Sequence, residues 1–283
     1  MRIQDITALG RPIDPSYPTN RAIAILTLVV AVAGTAWRLL SGGALLESVL
    51  WGIGAGFGLF LTWALGRELD PDNDLSAFVG AGLALIALLL FDMPSFLMVL
   101  WLLLVLRSLN RTCGSPARPL DSLGILSLGA WLTWQGYWVL GLVTVVAFLL
   151  DGLLSPPLRT QLYAAGLALA VTVILFILNG TTAVESGLAG PVLISTALIA
   201  VLFLLVIATS GETQTVGDSA AGTVGAPLNP RRVQAAQILA LATALLAAWL
   251  AGLSGMVDLL PLWAAMAGVG LYRLASLFLQ RRR

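Results

Sequence analysis

The chain has 283 residues, 59% of them hydrophobic and only 10% charged, with a formal net charge of +1 and a mean hydropathy of +0.96. A water-soluble domain must present a polar exterior, and this composition cannot supply one, so an integral membrane protein is expected. The charge implies no nucleic-acid partner, and the lack of histidine and lysine and the single cysteine, Cys113, exclude histidine or cysteine metal sites, an internal disulfide, a Ser-His-Asp triad, a Walker lysine and a Schiff base.

Residues 1–21 read as a cytoplasmic segment. Prolines interrupt the approach to the first apolar run, which comes too late for a secretory signal, so the first span is expected to stay as an anchor. A bilayer core about 30 Å thick needs about 20 apolar residues per helix. Ten segments qualify or come close: Ala22–Leu40, Ala44–Leu65, Leu75–Phe91, Pro94–Leu106, Leu120–Trp134, Tyr137–Leu154, Leu158–Leu178, Pro191–Thr209, Val233–Leu253 and Leu259–Leu279. Backbone amides in lipid must find partners within the segment, so these are helices, and the expected fold is an all-α, polytopic membrane bundle. Residues 22–279 then form one transmembrane domain, interrupted by a Gly/Ser/Thr-rich cytoplasmic linker at 210–232 and followed by a basic tail at 280–283.

The arginines orient this array. With the N-terminus in the cytoplasm and strict alternation, the arginines fall on the inner side, Arg273 lying in the last span near its inner end; only Arg38, at the end of span one, falls outside, a bias that the positive-inside rule requires. Both termini are therefore expected in the cytoplasm, in a prokaryotic plasma membrane. Spans four and five are short, and "TWQGYW" (Thr133–Trp138) is a tight connection. Eight full spans plus a re-entrant hairpin at 120–154 preserve the same arginine bias.

Charge concentrates in two cytoplasmic turns. "RELDPDND" (Arg67–Asp74) holds one arginine and four carboxylates, and "RSLNRTCGSPARPLDS" (Arg107–Ser122) holds three arginines, Asn110 and Asp121. Helix ends account for much of this: Arg67 suits a C-terminal dipole, Asn73 or Asp74 can cap span three, and Asp121 can cap span five. Asp70 and Asp72 would then pair with Arg107 and Arg111. The functional alternative is a site. Asp70, Asp72 and Asp74 are hard oxygen ligands of the kind Mg²⁺ takes. Arg107 and Arg111, four apart, would grip a lipid phosphate or another phosphate-bearing molecule if the helix continues, with Asn110 beside them. An EF-hand is excluded, because Leu75 and Ala81 stand where its Gly and Glu belong.

The remaining polar residues carry less. Glu47 and Arg38 are expected to neutralise each other. Asp92 and Asp258 are turn residues, and Asp151 ends span six. The glycines of "WGIGAGFG" (Trp51–Gly58) permit close helix approach. The scarcity of ionisable groups at membrane depth disfavours an ion-coupled carrier but leaves room for a carrier of neutral or amphiphilic solutes. "DPDND" lacks the aspartate spacing of the intramembrane prenyltransferases. Length, span number and terminus placement are similar to those of the ten-span drug/metabolite transporters, a likeness of architecture with no shared motif.

Overall fold

A computed structural model describes residues 7–10, 13–179, 190–210 and 228–280, apart from the side chains of Pro191 and Gln280. The expected linker falls largely outside these residues, as do Arg2, Arg11, Arg281, Arg282 and Arg283 from the orientation argument.

The described residues are helical, with no strand among them. The elements are α1 (Pro18–Leu40), α2 (Leu45–Leu69), α3 (Asp74–Leu90), α4 (Phe96–Asn110), α5 (Pro119–Trp134), α6 (Trp138–Leu153), α7 (Thr160–Asn179), α8 (Gly190–Thr209), α9 (Pro230–Asp258) and α10 (Leu260–Gln280). Each of the ten apolar segments of the sequence falls on one of them. Six of them, α1, α2, α7, α8, α9 and α10, are long and apolar enough to cross a membrane, and α3, α4 and α6 are shorter apolar helices. These apolar helices fit a multi-pass membrane protein. At about 1.5 Å per residue, the 16 residues of α5 and of α6 reach about 24 Å each, less than the bilayer core of about 30 Å.

Local chemistry sets the helix ends. Between α5 and α6, Gly136 adopts φ 100°. The Tyr137 N–H donates to the Leu132 carbonyl and the Gly136 N–H to that of Thr133, both at 3.0 Å. This is a Schellman cap, which explains how three residues reverse the chain. Helix α9 is interrupted at Gly252 (φ 58°, ψ −134°), one residue before the expected end of that span.

Contacts divide the chain into two compact units. Unit 1 takes the described residues of Met1–Arg11, Leu100–Ala197 and Ile207–Met256; unit 2 takes those of Pro12–Val99, Leu198–Val206 and Val257–Arg283.

Unit 2 is built on close backbone approach. Helix α1 packs on α2, α2 on α3, and α10 on both α2 and α3. A Cβ added at Gly56 would stand 2.6 Å from the Thr27 carbonyl oxygen, and one at Gly52 2.7 Å from the Thr35 nitrogen. Only glycine fits there, four residues apart on one face of α2. Along the face of α1 that meets α2, Ala31, Gly34 and Thr35 are half-buried, Ile23 is the one fully buried residue of the helix, and Leu28, Val29 and Val32 on its other faces are exposed.

In unit 1, α5, α6 and α7 pack against one another. Small residues again set the spacing, but hydroxyls line it. Thr133, Thr144 and Thr172 are buried, and each donates to the carbonyl four residues back. Thr144 also accepts from the Trp101 indole N–H at 3.2 Å. Every buried hydroxyl of this group is thus satisfied without water, as burial in hydrocarbon requires.

Candidate functional site

The two charged turns belong to different units, and each is described by itself.

In unit 2 the acidic turn follows α2. Asp70 caps the helix C-terminus, its N–H donating to the Gly66 carbonyl at 2.9 Å. Its carboxylate is 6% exposed. The Asn73 side-chain amide donates to both carboxylate oxygens, at 2.9 and 3.1 Å. Burial pushes the Asp70 carboxyl above its usual range, and the nearby Asp72 adds to this. Hydrogen bonds from Asn73 and Ser76 and the charge of Arg273 oppose it. Arg67 pairs with Asp74, across the turn from the last turn of α2 to the first residue of α3. Asn73 is the N-cap residue of α3 without a side-chain cap bond; instead its carbonyl accepts from the Ser76 hydroxyl at 2.7 Å. Asp72 is exposed. Among the described residues no three Asp, Glu or Cys side chains converge as a metal ion would need.

In unit 1 the arginine turn follows α4, which stops at Asn110. Arg111 sits beyond the helix with φ 56°, so the helix does not continue and Arg107 and Arg111 do not share a helix face. A left-handed backbone at this position normally belongs to glycine or asparagine. Here it turns the guanidinium towards α6. Nε and Nη2 of Arg111 donate to Oδ1 of Asp151 at 3.2 and 2.8 Å.

Asp151 is fully buried, and its second cation comes from α9. Arg232 Nη1 donates to the same Oδ1 at 2.7 Å. The rest of this guanidinium is spent on carbonyls. Nη1 reaches Leu109 at 3.1 Å, Nη2 reaches Leu154 at 2.6 Å and Pro156 at 2.8 Å, and Nε reaches Ser155 at 3.1 Å. Leu109 lies in the last turn of α4, and Leu154 follows the last turn of α6. A cation at the start of α9 is on the unfavourable end of its own helix dipole. Folded onto the C-terminal ends of α4 and α6, the same charge meets the negative ends of two others. Arg232 therefore ties three helix termini together through one buried side chain, 2% exposed. Asp151 Oδ2 has no hydrogen-bond partner, so two guanidiniums share a single carboxylate oxygen.

The rest of the arginine turn holds the segment at 7–10. Arg107 Nη1 donates to the Leu9 carbonyl at 3.3 Å, and the Cys113 thiol lies 3.8 Å from the same oxygen. Asp121, in the first turn of α5, accepts from the N–H groups of Arg118 at 2.8 Å and Ala8 at 2.9 Å and from the Thr7 hydroxyl. The capping role expected for Asp121 is present, with a second task added. Asn110 is buried.

The expected pairing of Arg38 with Glu47 is not found. Arg38 lies over the ring of Trp51 instead, 5.7 Å from its centroid.

Sequence reasoning named Asp70, Asp74, Arg107 and Arg111 but assigned Asp151 no role and used Arg232 only in the charge count. Their 81-residue separation leaves no motif. The one available signal was Arg232 itself, a cation in the first turn of an apolar helix, where the dipole disfavours it. Comparison of the chain with protein families, with curated proteins and with solved structures finds no match.

Proposed function

We propose that the chain is a multi-pass protein of a prokaryotic plasma membrane that carries a neutral or amphiphilic small solute. In this reading it crosses ten times, or eight with α5 and α6 as a re-entrant hairpin, and both termini lie in the cytoplasm. The charged turns act as fasteners of helix ends. One observation carries this reading: the most deeply buried charged group, Asp151, is held by Arg111 and Arg232, and Arg232 spends its other donors on helix-end carbonyls. Such a cluster needs no ligand to hold its charge. Every charged side chain on the described helices also lies within about two turns of a helix end, which leaves the middle of the spans suited to an uncharged passenger.

The test is flux. Purified protein in liposomes should pass at least one solute from a panel of sugars, neutral amino acids and short amphiphiles faster than protein-free liposomes, with no response to EDTA. Orientation is tested separately. In a Cys113→Ser background, cysteines placed by Asp72→Cys and Ser115→Cys, both at exposed positions, should both react with an impermeant thiol reagent from the cytoplasmic side. Reaction from opposite sides would end the topology.

A second reading is favoured by the cationic surplus at Asp151. Arg107, Asn110 and Arg111 would hold the phosphate of an anionic lipid or other phosphate-bearing molecule, and Asp70, Asp72 and Asp74 would hold Mg²⁺. It predicts micromolar Mg²⁺ binding that Asp72→Asn abolishes and lipid binding that Arg107→Gln weakens. Titration curves unchanged by both substitutions would dispose of it. Vesicles impermeable to the whole panel, together with Mg²⁺ binding that Asp72→Asn removes, would put it ahead of the carrier.

A further inference from the structure

Trp63 of α2 and Trp263 of α10 are both buried within unit 2, 7% and 3% exposed. Neither indole N–H has a hydrogen-bond acceptor among the described residues. An indole nitrogen can only donate, and a buried donor with no acceptor has lost its hydration without return. Trp101 in unit 1 shows the usual outcome: it is also buried, and its N–H donates to Thr144 at 3.2 Å.

The two unpartnered indoles stand at one level of unit 2, which the first half of α3 fixes. A Cβ at Gly66 of α2 would lie 2.8 Å from the Ala77 Cα, and one at Gly80 of α3 would lie 3.0 Å from the Ala265 Cα of α10. Ala77 and Gly80 are one turn apart on α3. Trp63 is one turn before Gly66, and Trp263 is two residues before Ala265. Helices α2 and α10 therefore bring a tryptophan each to the same stretch of α3. The rings of Phe60 and Phe78 lie 5.9 and 6.4 Å from that of Trp63. They offer its N–H a π face at most, a weak acceptor. Around Trp263, the α10 residues Leu262 and Ala265 are buried and apolar. Arg67, one turn beyond Trp63, is paired with Asp74. An ionised ligand would find no counter-charge in these neighbours, whereas neutral oxygen acceptors would match both donors.

We propose that Trp63 and Trp263 donate to the carbonyl oxygens of a flat, uncharged amphiphile of the quinone class. Such a molecule combines two acceptors with an apolar ring that suits aromatic neighbours. The proposal rests on the carrier reading for the uncharged character of the solute, and it names the class which that reading leaves open. Both indoles are buried in the conformation described, so admission of the solute requires α2 or α10 to part from α3. Each indole hydrogen bond should contribute about a fivefold preference for a ligand with carbonyls over one without.

The experiment is equilibrium dialysis of the full chain in detergent against matched protein-free micelles. The probes are duroquinone and durene, which share a tetramethylated ring but differ in the two carbonyl oxygens. Wild type should retain duroquinone in preference to durene. Trp63→Phe and Trp263→Phe should each lower that preference about fivefold. Bulk lost from the pocket affects both probes alike and cancels in the ratio. Trp101→Phe, whose indole N–H already has an acceptor, should leave the ratio at the wild-type value. The two variants are independent, so Trp63→Phe remains decisive if Trp263→Phe fails to fold. A ratio unchanged in the variants overturns the proposal, as does wild-type retention of duroquinone no greater than that of empty micelles; neither result touches the carrier reading. A ratio lowered in both variants, with no flux of any panel solute through wild-type liposomes, would keep the site and remove the carrier reading.

Discussion

Unit 1 and unit 2 hold their helices in opposite ways. In unit 1 the ends of α4, α6 and α9 meet at a buried carboxylate and two guanidiniums, and side chains do the joining. In unit 2 the joining is backbone against backbone, at Gly52 and Gly56 of α2 and where Gly80 of α3 meets Gly268 of α10, and the ion pair of Arg67 with Asp74 stays within one turn of the chain. The difference shows where electrostatics decides a packing. Asp151 is fully buried, so water cannot take the place of a lost partner; Asp74 is 43% exposed on its side chain, so water can replace Arg67.

The sharpest way to break this contrast is Arg232→Met. It should lower stability by about 3–5 kcal/mol, because Asp151 stays buried and several helix-end carbonyls lose their donor. Thermal unfolding in detergent reads the effect, and a shift no larger than that of a surface substitution would show that the cluster fastens nothing. Gly52→Val addresses unit 2. Its side chain would collide with α1 and should cost about 1–3 kcal/mol, with α1 becoming more open to proteolysis while unit 1 is unaffected. Asp74→Asn should cost less than about 1 kcal/mol and should lose even that in high salt. A larger effect would mean that the acidic turn is more than a local ion pair.

The smallest expected effect concerns pH. Burial raises the Asp70 carboxyl above its ordinary value of 3.8, so the folded chain holds this proton more tightly than the unfolded chain. The stability it contributes is complete below 3.8 and is lost as pH rises through the raised value. Asp70→Asn removes this dependence. The melting temperature of Asp70→Asn should gain on that of the wild type as pH climbs from acid to neutral. A difference that stays flat, or runs the other way, would show that the hydrogen bonds of Asn73 and Ser76 outweigh burial.

Much of the fold could be read from the sequence because lipid imposes a simple rule. Apolar runs become helices, and each of the ten apolar runs falls on a helix among the described residues, six of them long enough to cross a membrane. The glycines of "WGIGAGFG" were legible as close-packing residues for the same reason, and Gly52 and Gly56 now have a partner in α1. Asp121 was legible because capping depends on neighbours in the chain. The Asp151 cluster was not legible, since it joins residues from three helices. The sequence puts Arg111 on one face with Arg107 only if the helix continues, but the helix stops at Asn110 and a left-handed backbone redirects the Arg111 side chain. Arg38 was assigned to Glu47 by nearness in sequence, whereas an indole ring one turn further along α2 offered a better surface.

The position of Arg232 also bears on synthesis. Asp151 leaves the ribosome 81 residues before this arginine. Until α9 is made, Asp151 near the C-terminal end of α6 has Arg111 as its cation, and the carbonyls of Leu109, Leu154, Ser155 and Pro156 are without the Arg232 donor. A nascent chain truncated ahead of α9 should therefore be a poor intermediate, readily degraded, and the ninth helix acts as the clasp that completes a structure begun by the fourth and sixth.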